Sequence, residues 1–83
     1  EDKAAVFQAI AARRGLPLTT LAYLGDDVND LEAMALAGLS ACPGDAFVDV
    51  REKAHLVCAA HGGQGAFREF AEILIAAGTP RRG

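Results

Sequence analysis

Three carboxylates fall within five residues of the stretch "LAYLGDDVNDLEAM", Leu21 to Met34: Asp26, Asp27 and Asp30. An apolar run stops at Gly25, immediately before them. Like charges this close repel and raise one another's pKa unless a cation sits among them. Mg²⁺ suits that place, because it takes oxygen ligands and is usually held by one or two carboxylates. Ordinary helix capping is the competing explanation, since Asp and Asn at a helix N-terminus meet orphan N–H groups and the macrodipole. Capping accounts for Asn29 or Asp30. It accounts poorly for Asp26 and Asp27, which load a buried strand end with two charges, so the spacing favours a metal site.

Other residues invite a chemical role less strongly. His61 precedes "GGQG" and reads as a surface loop histidine; His55 opens a strand and reads the same way. "GGQG" ahead of a helix could offer free N–H groups to a phosphate, but no GK[ST] follows, so it is not a P-loop. Cys42 and Cys58 each sit in a short apolar run without CxxC spacing, which fits buried reduced thiols in a cytosolic protein.

The elements that must position the acidic group follow from periodicity. Asp2 to Arg14 reads as a helix, with Val6, Phe7 and Ile10 on one face, Gly15 at the C-cap and Pro17 forbidding continuation. Leu21 to Leu24 reads as a strand, apolar throughout, as in a parallel sheet covered on both faces. Asn29 to Ala37 reads as a helix with Leu31, Met34 and Ala35 inward. "LSAC" from Leu39 is a second strand, and Asp45 can N-cap a third helix ending near Ala54. "HLVCA", His55 to Ala59, is a third strand. Phe67 to Ala77 is the last helix, with Phe67, Phe70 and Leu74 on one stripe, and "TPRRG" beyond it is expected to fray. Helices alternating with strands predict an α/β fold: a Rossmann-like parallel sheet with flanking helices. In such sheets functional groups gather past the carboxyl ends of strands, where the acidic cluster sits.

Bulk properties narrow the reading. A chain of 83 residues is at most one small domain, with a marginal core. A net charge of −3 without a basic tract argues against nucleic acid and anionic membrane surfaces as partners. No apolar run reaches transmembrane length. The polar opening "EDKAAVF" does not read as a secretory leader, and its start without methionine leads to the expectation of a piece of something longer.

"GDDVND" resembles the fourth motif of the haloacid dehalogenase superfamily of phosphotransferases. The likeness extends further: "AYLGDDVNDLEAM", "GLSACPGDA" and "GGQGAFRE" resemble, in order and spacing, the C-terminal half of the 3-deoxy-D-manno-octulosonate 8-phosphate phosphatases. The same half recurs as the C-terminal domain of acylneuraminate cytidylyltransferases, and "GGQGAFREFAE" is close to that version. The resemblance runs from Lys3 to about Ala77. It implies Asp26 as the direct Mg²⁺ ligand, Asp27 as the residue steering metal-bound water or the neighbouring lysine, and Asp30 as the residue holding the loop and that lysine. Lys3 matches the family's third motif, where its ammonium would neutralise the nucleophile and the transferring phosphoryl group; a solvated helix-end lysine is the plain alternative. In the resembled family "GGQG" lies near a subunit interface close to the active-site mouth. Arg68 then either helps bind an anionic substrate or pairs on the helix surface with Glu69 or Glu72.

One departure from the family pattern limits the expected activity. The nucleophilic aspartate of a DxD-type motif is absent, and so is the second motif's hydroxyl, since Thr19 and Thr20 precede the wrong strand. The chain is therefore expected to be a single partial domain, residues 1–83, inactive alone. Two functions follow. One is the C-terminal half of a Mg²⁺-dependent phosphatase acting on a sugar-acid phosphate. The other is a non-catalytic oligomerisation module. In either, the strand at Leu21 to Leu24 exposes an apolar edge, a template for pairing. The missing half, a swapped copy or a subunit of a homo-oligomer, with the family's tetramers as precedent, is expected to cover it.

Overall fold

The computed structural model describes residues 2–78, with side chains described as far as Ile73. Seven regular elements alternate in the expected order: α1 (Lys3–Arg14), β1 (Ala22–Leu24), α2 (Leu31–Leu36), β2 (Leu39–Cys42), α3 (Val48–Lys53), β3 (Leu56–Val57) and α4 (Ala66–Gly78). The tail from Thr79, expected to fray, lies outside the described residues, as does the Leu74 side chain. Two short 3₁₀ turns, Leu18–Thr20 and Val28–Asp30, lead into β1 and α2.

The sheet is α/β and parallel throughout, in the order β1-β2-β3. Ala22 pairs with Leu39 and Leu24 with Ala41; Ala41 in turn faces Leu56. Strand alternation divides the core in two. One face gathers Met34, Cys42, Ala46 and Val50, with Tyr23 and Leu31 packed against them; the other gathers Ala41, Cys58, Ala66 and Phe70. Cys42 and Cys58 are free and buried, and burial pushes both thiols up in pKa. No helix among the described residues is long and apolar enough to cross a membrane.

Several sequence expectations change. Coverage on both faces is found at β2, where Ser40, Ala41 and Cys42 are buried, whereas all three residues of β1 are half-buried. The reason is topological, for β1 is an edge of this sheet. Helix α1 starts on Asp2, whose carboxylate accepts from the Ala5 N–H at 3.0 Å. Ala4 and Ala11 face inward, and Val6 and Ile10 are 43% and 46% exposed, so the apolar stripe of α1 is not core in this chain. With Lys3, Phe7 and Tyr23 it lines a groove of about 140 Å³. In α2, Ala33 is buried and Ala35 exposed, because the turn at Val28–Asp30 delays and rotates the helix. In α4, Ala66 and Phe70 share the inward face at i, i+4 spacing, which leaves Phe67 73% exposed. Asp45 does not cap α3; Phe47 occupies the cap position without a side-chain bond.

Candidate active site

Strand β1 hands the chain to Gly25, whose N–H extends the ladder to the Ala41 carbonyl at 3.0 Å. A Cβ at Gly25 would lie 2.5 Å from the Asp30 Cβ and 2.9 Å from the Met34 Sδ. Glycine is therefore what lets Asp30 fold back beneath the strand end. Asp27 and Asp30 form a capping box about the Val28–Asp30 turn, and the Asp27 Oδ1 accepts from the Val28 N–H at 2.6 Å.

Asp30 is the centre of the arrangement. It is 4% exposed, yet its carboxylate receives four donors. Oδ1 accepts from the Tyr23 hydroxyl at 2.8 Å and from the Lys3 ammonium at 3.1 Å. Oδ2 accepts from the N–H groups of Asp26 and Asp27, each at 3.1 Å. Burial pushes the Asp30 pKa up, but the hydrogen bonds from Tyr23, Lys3 and the two backbone N–H groups together outweigh it and hold the carboxyl below its ordinary range. The same contact raises Lys3, through its hydrogen bond to Asp30 and then its charge. Burial, then the bond to Asp30, pushes Tyr23 up to about 12. Tyr23 also meets the Phe7 ring edge-on, centroids 5.2 Å apart, tying α1 and its Lys3 to β1.

The structure thus brings Lys3, Asp26, Asp27 and Asp30 together at the carboxyl end of β1. The three carboxylates do different things. Asp30 is turned inward, Asp27 is half-buried in the turn, and Asp26 is exposed with no side-chain bond among the described residues. Asp26 and Asp27 form one side of a depression of about 330 Å³, completed by Asp45, Ala46, Phe47, Gly62 and Gly63.

The model of the haloacid dehalogenase-like hydrolase family matches residues 1–69. The chain belongs to the haloacid dehalogenase-like hydrolases. It is 36% identical over 77 residues to the 3-deoxy-D-manno-octulosonate 8-phosphate phosphatase of Haemophilus influenzae, covering 93% of this chain and 42% of that protein. It is 38% identical over 68 residues to N-acylneuraminate cytidylyltransferase B of Danio rerio, covering 82% of this chain and 16% of that protein. The Moraxella catarrhalis 3-deoxy-D-manno-octulosonate 8-phosphate phosphatase, solved with a magnesium ion, a phosphate ion and a KDO molecule, superposes with a TM-score of 0.88 at 30% identity. That match covers 92% of this chain and 44% of that one. The cobalt-bound Haemophilus influenzae phosphatase gives 0.88 at 34% identity, covering 92% and 43%. The chain spans less than half the length of these relatives.

The donor set at this strand end fits a divalent cation. Lys3 pairs with Asp30, which leaves the Asp26 and Asp27 carboxylates at the strand end without an ion-pair partner among the described residues. Among the described residues no three metal-capable side chains converge, so further ligands would be water or groups from elsewhere.

The remaining sequence candidates lie apart. Arg68 pairs with Glu72 at 3.2 Å on the exposed face of α4 and does not line the depression. His55 Nδ1 accepts from the Ser40 N–H at 2.9 Å, a link between β2 and the start of β3. In "GGQG" the N–H groups of Gly62 and Gln64 are already engaged, by the Asp45 carboxylate and the His61 carbonyl. Sequence reasoning missed Tyr23, Asp45 and Glu69. Tyr23 carried one usable signal, a polar tip on an otherwise apolar strand, which needs a partner when half-buried.

Proposed function

We propose that this chain carries the metal-and-lysine half of a Mg²⁺-dependent phosphatase site acting on a sugar-acid phosphate such as 3-deoxy-D-manno-octulosonate 8-phosphate. The observation that carries the reading is the Asp30 carboxylate, which fixes Lys3 and the Asp26–Asp27 backbone in one arrangement. Asp26 would hold the cation and Asp27 orient water or Lys3 beside it. Bound there, the ion would supply charge stabilisation for phosphoryl oxygens. Lys3, kept protonated by Asp30, presents positive charge at the same strand end. The Arg68–Glu72 pair is an exposed i, i+4 contact that holds its guanidinium loosely, so Arg68 remains available to an anionic substrate.

The nucleophile belongs to a segment these 83 residues do not contain. We place that segment, or a second copy in a homo-oligomer up to a tetramer, against the β1 edge and the α1 groove. Lys3 and Tyr23 line that groove as well as binding Asp30, so whatever covers the edge stands beside the site. The free, buried thiols suit a reducing, cytoplasmic setting. The identity to a cytidylyltransferase favours a second reading, an oligomerisation module without catalysis.

Phosphate release from 3-deoxy-D-manno-octulosonate 8-phosphate tests the choice. The chain alone should show none above background. Joined to a nucleophile-bearing half, it should show Mg²⁺-dependent release that Asp26→Asn abolishes. Assembly without release would overturn the phosphatase reading in favour of the module.

A further inference from the structure

The depression beside Asp26 has a second wall that the metal-and-lysine apparatus does not explain. It is built from two loops, Asp45–Phe47 after β2 and Gly62–Gly63 after β3. At about 330 Å³ the space is at the small end of ligand pockets, so a modest movement of either loop changes its shape appreciably.

Two carboxylates outside the acidic cluster hold these loops. The Asp45 Oδ1 accepts from the Gly62 N–H at 2.9 Å. Glu69 reaches back from the first turn of α4: Oε2 accepts from the Ala59 N–H at 3.0 Å and Oε1 from the Ala60 N–H at 2.9 Å. Between them the Gly44 N–H donates to the Ala60 carbonyl at 3.0 Å. A Cβ at Gly44 would meet the carbonyl oxygens of Cys58 and Ala59 at 2.9 and 3.1 Å, so the loops approach backbone to backbone and need glycine there. Both carboxylates sit below their ordinary pKa range, Asp45 chiefly through Gly62 and Glu69 through Ala60 then Ala59. They are therefore charged acceptors at neutral pH, and charge-assisted hydrogen bonds are the stronger kind.

We propose that Asp45 and Glu69 are positioning residues. They hold the Gly62–Gly63 wall where it grips the part of the substrate that is not transferred, and so set KM rather than the rate of the chemical step. The proposal rests on the phosphatase reading above. Its physical basis is that a contact made equally in the ground and transition states is uniform binding, so loosening it raises KM and spares kcat.

Kinetics on the chain joined to a nucleophile-bearing half provide the test. Asp45→Ala should raise KM for the sugar-acid phosphate on the order of tenfold while kcat stays within about twofold. Asp45→Asn keeps an acceptor oxygen and should restore KM. A fall in kcat with KM unmoved, or no change in either, would overturn the proposal. An inert wild type would instead sink the phosphatase reading, and the proposal with it. Amide exchange on the wild-type chain is the second measurement, independent of whether the variant folds. The Ala59, Ala60 and Gly62 N–H groups should exchange at least about tenfold more slowly than that of Gly63, which has no acceptor among the described residues. Equal exchange at all four would show that the clamp does not exist in solution.

Discussion

The corner after β1 and the loop after β3 solve one problem at different depths. Each uses a carboxylate to gather backbone N–H groups at a strand end beside the same depression. Asp30 does so buried, with a lysine and a tyrosine joining the two N–H groups. Glu69 does so half-buried, with two N–H groups alone. In a low-dielectric setting an unpaired polar group is costly, whereas water replaces a lost partner at the surface. The first corner should therefore be coupled to global stability and the second only to local order.

Asp30→Ala should separate the two regions most sharply. It strands the Tyr23 hydroxyl and two N–H groups and should destabilise by about 3 kcal/mol, a large share of a small domain's stability. Urea unfolding at fixed protein concentration measures it, and a change under about 1 kcal/mol would refute the hub. The pH dependence has a definite sign. Asp30 is held low in the folded chain, so its contribution is complete above the unfolded pKa. It is lost as pH falls through the folded value, below about pH 4.

Asp26→Asn should leave that stability nearly alone and weaken Mg²⁺ binding on the order of tenfold or more, because the Asp26 carboxylate accepts no hydrogen bond among the described residues. Asp27→Asn should weaken it less, since the Asp27 oxygen is partly engaged by Val28. Calorimetry giving equal affinities for wild type and Asp26→Asn would remove Asp26 from the metal site. Tyr23→Phe comes next. It deletes one of Asp30's donors at a half-buried position while keeping the ring against Phe7, so about 1 kcal/mol is expected from urea unfolding.

Legibility in the sequence followed the same divide. The alternation of helices and strands, the parallel order and the acidic strand end were readable because period, glycine and proline signals are local. The buried hub was half readable: the spacing placed Asp26, Asp27 and Asp30, and only the family resemblance pointed to Asp30 as the one holding the loop and Lys3. That choice depends on Gly25 admitting Asp30 beneath the strand. Asp45 looked like a helix cap because Asp commonly caps helices; its partner Gly62 is seventeen residues away, where no local pattern reaches. The apolar stripe of α1 was legible as a pattern, but its exposure was not, because that depends on β1 being an edge strand.

Glu69→Gln should give the smallest effect and the most selective one. Gln retains one acceptor oxygen where Glu offered two, so one of the Ala59 and Ala60 N–H groups keeps a partner and the other turns to water. Glu69 and Ala60 are only half-buried and Ala59 is exposed, so water can replace the lost partner and the urea midpoint should move little. Amide exchange should rise severalfold at Ala59 or Ala60 and remain unchanged at the Asp26 and Asp27 N–H groups, which Asp30 holds. Lowering pH should mimic the variant in the wild type. The Glu69 pKa is depressed by those same N–H bonds, so their protection is full above the ordinary carboxylate range and falls away as pH drops through the folded value. A shift of the global midpoint with Glu69→Gln, or exchange rising equally at Asp26 and Asp27, would mean the two corners form one cooperative unit. The contrast between a buried and a half-buried solution would then fail.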